Sequence, residues 1–224
     1  MPKKIAIIGS GIAGLTAANL FKNNSNFQVM VYEKEKELSL DEGYGIQLSP
    51  NSTSILNKIG LSNIDNKDFF NPSKLNFYSS DNQKICDLDL SRFNSEKFKY
   101  TTLKRSVLIE FLKNKLFSNN LKFGKEIKKV SKIKDKLLIN FKDNTNDLVD
   151  FIVVSDGVFS NTKLIAENKS ILPIYNGSIA IRTILKNSPE PNYDKNSISL
   201  VMLRNAHIVI YPINKKGEFN VVCI

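Results

Sequence analysis

Gly9-Ser10-Gly11-Ile12-Ala13-Gly14, followed 19 residues after Gly14 by Glu33, is the segment of this chain best suited to chemistry. The three glycines have separate tasks. Gly9 allows a tight turn, Gly11 lets a diphosphate approach the backbone, and Gly14 lets a helix pack closely on a strand. The N–H groups of the helix start then face an anion, helped by the helix dipole. Glu33 stands at a strand end, where an acid binds ribose hydroxyls and disfavours a 2′-phosphate. The glycines alone do not separate NAD from FAD. Other candidates are sparse. His207 is the sole histidine, in "AHIVIYP", and on a strand residues 207, 209 and 211 share a face, so His207 and Tyr211 point the same way. Arg182, in "SIAIRTI", either grips a carboxylate or faces solvent. Cys86 and Cys223 match no metal-ligand or redox spacing, and one histidine cannot make a His/Cys zinc site. No metal is expected.

These residues need a scaffold. Residues 3–8 predict a buried strand, 12–23 a helix, and Phe27–Tyr32 a second strand that delivers Glu33, a βαβ opening that implies a parallel sheet. Ser49-Pro50-Asn51 starts a helix whose apolar spacing continues to Gly60. Residues 74–90 read as a hairpin around Ser80-Asp81-Asn82. A second helix is expected over 102–118, with Leu103, Val107, Leu108, Phe111, Leu112 and Leu116 as one stripe. "KEIKKVSKI", "KLLINFKD" and "LVDFIVVSDG" predict a β-meander followed by a buried strand that stops at Asp156-Gly157. Taken alone, Asp156-Gly157 is as readily a strand-ending turn as a functional motif. From about residue 171, "SIAIRTIL", "SISLVMLR", "AHIVIYPI" and "EFNVVCI" follow without an intervening helix, which argues for a second, antiparallel sheet. The chain stops at Ile224 inside an apolar strand, which reads as an interruption.

Composition narrows the function. The chain has 224 residues, 42% of them hydrophobic, with 32 Lys+Arg against 22 Asp+Glu and a net charge of +10. The basic residues are nearly all lysines, scattered through the chain; the arginines are Arg92, Arg105, Arg182 and Arg204. A nucleic-acid binder concentrates charge on one face and uses arginine for bidentate contacts, so no nucleic-acid role is expected. Apolar runs such as Phe151–Val154 and Ile208–Tyr211 are strand-length, short of the roughly 20 residues a membrane helix needs. The N-terminus lacks the apolar core of a signal peptide. Two lone thiols fit a reducing cytosol, and a cytoplasmic location is expected.

Three further landmarks follow the glycine loop in order: "GYGIQLSPNSTSILNKIGL" (43–61), "LKRSVLIEFL" (103–112) and "DFIVVSDGVFSNTK" (150–163). The ordered set resembles the single-component flavoprotein aromatic hydroxylases, the salicylate- and hydroxybenzoate-hydroxylase-like FAD monooxygenases. The resemblance implies an α/β fold: a Rossmann-like FAD-binding domain with parallel sheet and β-meander over 1–73 and 100–170, and an incomplete antiparallel-sheet substrate domain over 74–99 and 171–224. It implies that Gly9, Gly11, Ala13 and Gly14 line the ADP diphosphate and that Glu33 holds the adenosine ribose. Gly45 would lie near the flavin, Arg105 would reach the diphosphate/ribose region, and the Ile127 backbone would contact the adenine. Asp156 and Gly157 would match the family's Asp-Gly motif, associated with FAD and the nicotinamide nucleotide. His207 and Tyr211 would serve as base and substrate contact, and Arg182 would meet a substrate carboxylate.

The implied activity is hydroxylation of a small aromatic compound with O₂ and NADH or NADPH, through a flavin C4a-hydroperoxide. Another FAD oxidoreductase of this architecture, a reductase or halogenase, is the alternative, as is a non-catalytic fragment with weak nucleotide binding. The chain departs from the family in Val154-Ser155, where a small pair is usual, and in Lys163, where an arginine is usual. The family's later Gly-Asp motif would lie beyond residue 224. Substrate identity and oligomeric state are left open.

Overall fold

The computed structural model describes residues 1–38, 40, 44–95, 97–167, 173–186 and 193–224, with the side chains of 166 and 167 excepted. In chain order the strands are β1 (Lys3–Ile8), β2 (Phe27–Tyr32), β3 (Gly45–Leu48), β4 (Phe69–Phe70), β5 (Lys74–Tyr78), β6 (Lys84–Asp89), β7 (Thr101–Lys104) and β8 (Leu121–Lys122). They continue as β9 (Ile127–Ile133), β10 (Lys136–Phe141), β11 (Asn146–Val149), β12 (Phe151–Val154), β13 (Ile181–Lys186), β14 (Ile198–Met202), β15 (His207–Pro212) and β16 (Glu218–Cys223). The α-helices are α1 (Ile12–Phe21), α2 (Pro50–Asn57), α3 (Arg105–Asn114) and α4 (Asn161–Glu167). The chain divides into two compact units, one of 1–39 with 109–175, the other of 40–108 with 176–224.

In the first unit a parallel sheet runs in the order β12-β1-β2-β8. The apolar run of β1 explains its central place: Ile5 to Ile8 are all buried, as a strand covered on both faces requires. The antiparallel meander β11-β10-β9 supplies Ile127, Ile139, Phe141 and Val149 to a core shared with Ala6, Ile8 and Tyr32. Tyr32 and Phe141 meet there with ring centroids 4.7 Å apart. Asn19, fully buried on α1, donates from Nδ2 to the carbonyls of Leu15 and Leu112, each at 2.8 Å, so one amide ties α1 to α3.

The second unit holds a six-stranded sheet, β13-β16-β15-β14-β5-β6, and a small sheet, β3-β7-β4. Consecutive pairings are antiparallel as expected, but β14 lies parallel to β5. The sheet is therefore mixed. The 74–90 hairpin continues the sheet of the late strands.

Three other expectations are corrected. Residues 101–104 are strand, not the start of a 102–118 helix, and α3 begins only at Arg105. Thr101 and Thr102 are β-branched, and β7 pairs on both sides, with β3 and β4, which buries Leu103 completely within a sheet. The helix expected up to Gly60 ends at Asn57, and Gly60 takes a left-handed φ of 86°. β12 is not fully buried: Phe151 is 46% and Val154 41% exposed, because among the described residues this strand pairs only with β1. α4 was not foreseen. Gly43, at the head of the 43–61 motif, and the border at 170/171 lie outside the described residues.

Candidate functional site

The first unit contains a cavity of about 210 Å³ where β1, β2 and β12 end, lined among others by Gly9, Gly11, Glu33, Ile127, Asp156 and Gly157. In an open parallel sheet this is where ligands are expected, beyond the carboxyl ends of the strands. Gly9 turns the chain out of β1 with φ +99°, a conformation few other residues adopt. A Cβ there would lie 2.5 Å from the Ser155 carbonyl oxygen. Gly14 is equally constrained, since its Cβ would meet the Gly9 carbonyl oxygen at 2.0 Å and Ser155 Oγ at 2.7 Å. Gly11 differs: nothing lies within 4 Å of its missing Cβ, which leaves open space at the start of α1. No side chain caps that helix, and its first turn carries no acid. Its leading N–H groups, which a helix leaves without internal partners, therefore remain for an anion. Ala13 is exposed on this turn, and Gly14 is buried beneath it.

Glu33 is held from two sides. Oε2 accepts from the Ser10 N–H at 2.8 Å and the Ser10 hydroxyl at 2.7 Å, and Oε1 accepts from the Glu35 N–H at 3.0 Å. Burial works to raise its pKa, but hydrogen bonds from the Ser10 side chain and from the N–H groups of Glu35, Ser10 and Lys34 together hold the carboxyl below its usual range. Asp156 is less satisfied. Its Oδ2 accepts from the Thr162 N–H at 3.3 Å, while Oδ1 is buried with no hydrogen-bond partner among the described residues. A buried carboxylate oxygen left bare is costly unless something binds it. The glycine approach, the uncapped helix and Glu33, with Asp156 lining the same cavity, together suit a dinucleotide with a ribose and a diphosphate. Ile127, buried in the core, closes one wall.

Gly45, Arg105, Arg182, His207 and Tyr211 belong to the second unit. The Gly45 N–H donates to Asn220 Oδ1 at 2.7 Å, and its missing Cβ would strike Ile213, Asn220 and the Tyr211 ring at 2.6 to 2.9 Å. Glycine is thus what lets β3 lie against Tyr211. The half-buried Arg105 opens α3 with its N–H donating to the Tyr44 carbonyl at 2.8 Å. The Arg182 guanidinium lies 5.9 Å from the Tyr44 ring centroid. Burial pushes the Tyr211 phenol up to about 12; the Arg182 charge opposes this, Tyr100 adds to it, and the Gln47 amide opposes it. Tyr100 in turn donates its hydroxyl to Gln47 Oε1 at 2.8 Å.

Tyr211, Gly45, Gln47, Tyr100 and Arg182 are therefore brought together. His207 is not among them. It sits four residues before Tyr211 on β15, about 13 Å along an extended strand, where its backbone exchanges hydrogen bonds of 2.9 and 3.0 Å with Ile224.

Reading the sequence did not single out Ser10, Ser155, Gln47, Tyr100, Thr162 or Asn220 as site residues. Ser10 stood inside the glycine motif and Ser155 directly before Asp156-Gly157, so position was a signal for both. Asn220 had none, because its partner Gly45 is remote in the chain.

The profile of NAD(P)-binding Rossmann-like domains matches residues 7–41, the segment from β1 past Glu33. The chain is 27% identical over 231 aligned residues to 6-hydroxynicotinate 3-monooxygenase of Bordetella bronchiseptica, covering 96% of this chain and 56% of that protein. It is 26% identical over 214 residues to 3-amino-4-hydroxybenzoate 2-monooxygenase of Streptomyces cremeus, covering 94% and 53%. Its fold is that of Klebsiella pneumoniae HpxO, solved as a complex with FAD, with a TM-score of 0.86 at 19% identity over 99% of this chain and 56% of that one. The chain spans about half the length of the relatives it matches. Its opening segment thus matches the profile of NAD(P)-binding Rossmann-like domains, and the relatives it resembles are monooxygenases, some of them named as FAD-dependent.

Proposed function

We propose that this chain is the cofactor-holding and part of the substrate-holding portion of an FAD-dependent monooxygenase that hydroxylates a small aromatic or heteroaromatic compound. NADH or NADPH is the reductant in this reading and O₂ the co-substrate. The observation that carries it is the cavity lined by the start of the uncapped helix, Glu33 and Asp156. Gly9, Gly11, Ala13 and Gly14 would line the diphosphate, which the N–H groups at the start of α1 would take, Glu33 would hold a ribose diol, and the Ile127 backbone would meet the adenine. Asp156 and Gly157 would meet the same cofactor, and Gly45 and Arg105 are the further residues that the family resemblance assigns to it. The functional division would then be 1–73 with 100–170 for the flavin, and 74–99 with 171–224 for the substrate.

When bound, the flavin supplies the oxygen-transfer chemistry; the protein orients, excludes water and manages protons. With its phenol pushed up to about 12, Tyr211 stays neutral at pH 7, so it can both donate to and accept from a substrate hydroxyl. Arg182 would hold a substrate carboxylate or phenolate by charge. His207 is the candidate base for a phenolic proton, although its distance along β15 from Tyr211 means that the two would contact different parts of a substrate.

The test is direct. The purified chain is titrated with FAD while flavin fluorescence is followed, and NADH and NADPH oxidation is then measured with 6-hydroxynicotinate, 4-hydroxybenzoate and salicylate. Saturable FAD binding with substrate-stimulated oxidation is expected. Absence of FAD binding would overturn the reading.

A further inference from the structure

We propose that Ser10 is a positioning residue: it orients the Glu33 carboxylate toward the cofactor ribose before the cofactor arrives. This rests on the reading of Glu33 as the ribose ligand. Ser10 is 2% exposed and lies between the two glycines that shape the turn. It cannot swing freely, because the Gly9 N–H is bonded to the Tyr32 carbonyl at 2.8 Å and Gly9 is pressed against Ser155. Both donors of Ser10, its N–H at 2.8 Å and its hydroxyl at 2.7 Å, reach the same oxygen, Oε2.

A carboxylate offers about four acceptor positions, two on each oxygen. Ser10 fills both on Oε2. The Glu35 N–H takes one on Oε1 at 3.0 Å, the Lys34 N–H also bonds the carboxylate, and Glu33 itself lines the cavity. Two consequences follow. A ribose hydroxyl reaching Glu33 would meet Oε1, the oxygen that Ser10 does not hold. The Ser10 N–H, although part of the glycine motif, is already committed, so the diphosphate must be taken by the N–H groups of α1's first turn.

The hydroxyl bond favours the charged carboxylate, in keeping with the lowered pKa of Glu33. Several other charged or titratable groups surround it. Lys34 and Glu35 stand on its own turn, and Lys122 and Lys125 are bonded to its backbone at 2.9 and 2.7 Å. Tyr32 precedes it on β2, and Glu126 and Asp156 line the same cavity. None of these is altered by changing Ser10, so an effect of Ser10 on the pH dependence reports the hydroxyl.

The experiment measures ADP and FAD affinity from pH 4 to 8 for the wild-type chain and for Ser10→Ala, Glu33→Ala and the double variant. ADP carries only the adenine, ribose and diphosphate that the first unit would meet. Ser10→Ala is expected to weaken ADP and FAD by about tenfold, the scale of one charge-assisted hydrogen bond. It should also move the acid limb of binding to higher pH, and have no further effect when Glu33 is already alanine. Ser10→Gly, a residue type the turn accepts, gives the same test should Ser10→Ala fail to fold.

Unchanged affinity and acid limb in Ser10→Ala would overturn the proposal. An equal loss in the Glu33→Ala background would overturn it too, because Ser10 would then act on the loop and not through the carboxylate. A wild-type chain that binds ADP but not FAD leaves Ser10 standing and removes the flavin reading. A chain that binds neither removes both.

Discussion

The two units assemble their candidate sites by opposite means. In the first, the groups on offer are mostly backbone: N–H groups at the start of α1, reached because Gly9 and Gly14 have no side chain to keep their neighbours away. They come from one short stretch, and only Glu33 and Asp156 add side-chain chemistry. In the second, the groups are side chains on strands far apart in sequence, with Tyr211 on β15, Arg182 on β13, Gln47 on β3 and Tyr100 just before β7. A turn that binds through its backbone is written locally; a cluster of side chains across a sheet is written in the pairing of strands. Glycine serves both, for different reasons. Gly14 meets backbone atoms, whereas Gly45 meets side chains.

That contrast orders the expected effects. Gly14→Ala should be the most damaging, since its Cβ would stand 2.0 Å from a carbonyl oxygen that cannot rotate away. A loss of about 3 kcal/mol or more is expected, read by thermal denaturation, with ADP binding abolished. Gly45→Ala meets the Ile213, Asn220 and Tyr211 side chains, which can give way. It should cost about 1–3 kcal/mol and leave ADP affinity unchanged; a fall in ADP affinity as large as that of Gly14→Ala would erase the distinction between the units.

Ser155→Ala removes the hydroxyl that donates to the Ile8 carbonyl at 2.8 Å. About 1 kcal/mol of stability should be lost, because the Ser155 N–H still bonds the same carbonyl.

The smallest effect is the pH dependence of Glu33. Its folded pKa lies below the unfolded value of about 4.3, so its stabilising contribution is full above that value. It is lost as pH falls through the folded pKa. The stability difference between wild type and Glu33→Gln should therefore shrink below about pH 4. A difference that stays constant from pH 7 to pH 3 would show that Glu33 gains nothing from its partners.

The first unit was largely legible. β1, α1 and β2 follow from an apolar run, a glycine turn and a second apolar run, and the parallel sheet follows from that order. Asp156-Gly157 was visible as the end of a strand, but not the burial of Asp156 Oδ1, which depends on how β12 and α4 bring their surroundings together. The second unit was less legible. Leu103 has helical spacing with Val107 and Leu108, yet it lies in β7, because two neighbouring strands offered Thr101 and Thr102 their ladder bonds. The parallel joining of β14 to β5 had no local sign, since nothing in either strand names a partner more than a hundred residues away.

By itself, the sequence determined the glycine turn, the acid at the end of β2 and the α/β character of the chain. These depend on backbone freedom and on periodicity, which are properties of neighbouring residues. Only the tertiary structure decided that Ser10 holds Glu33, that Gly45 makes room for Tyr211 and that His207 stands apart from it. Each of these is a distance between atoms that the chain separates, set by strand register and packing.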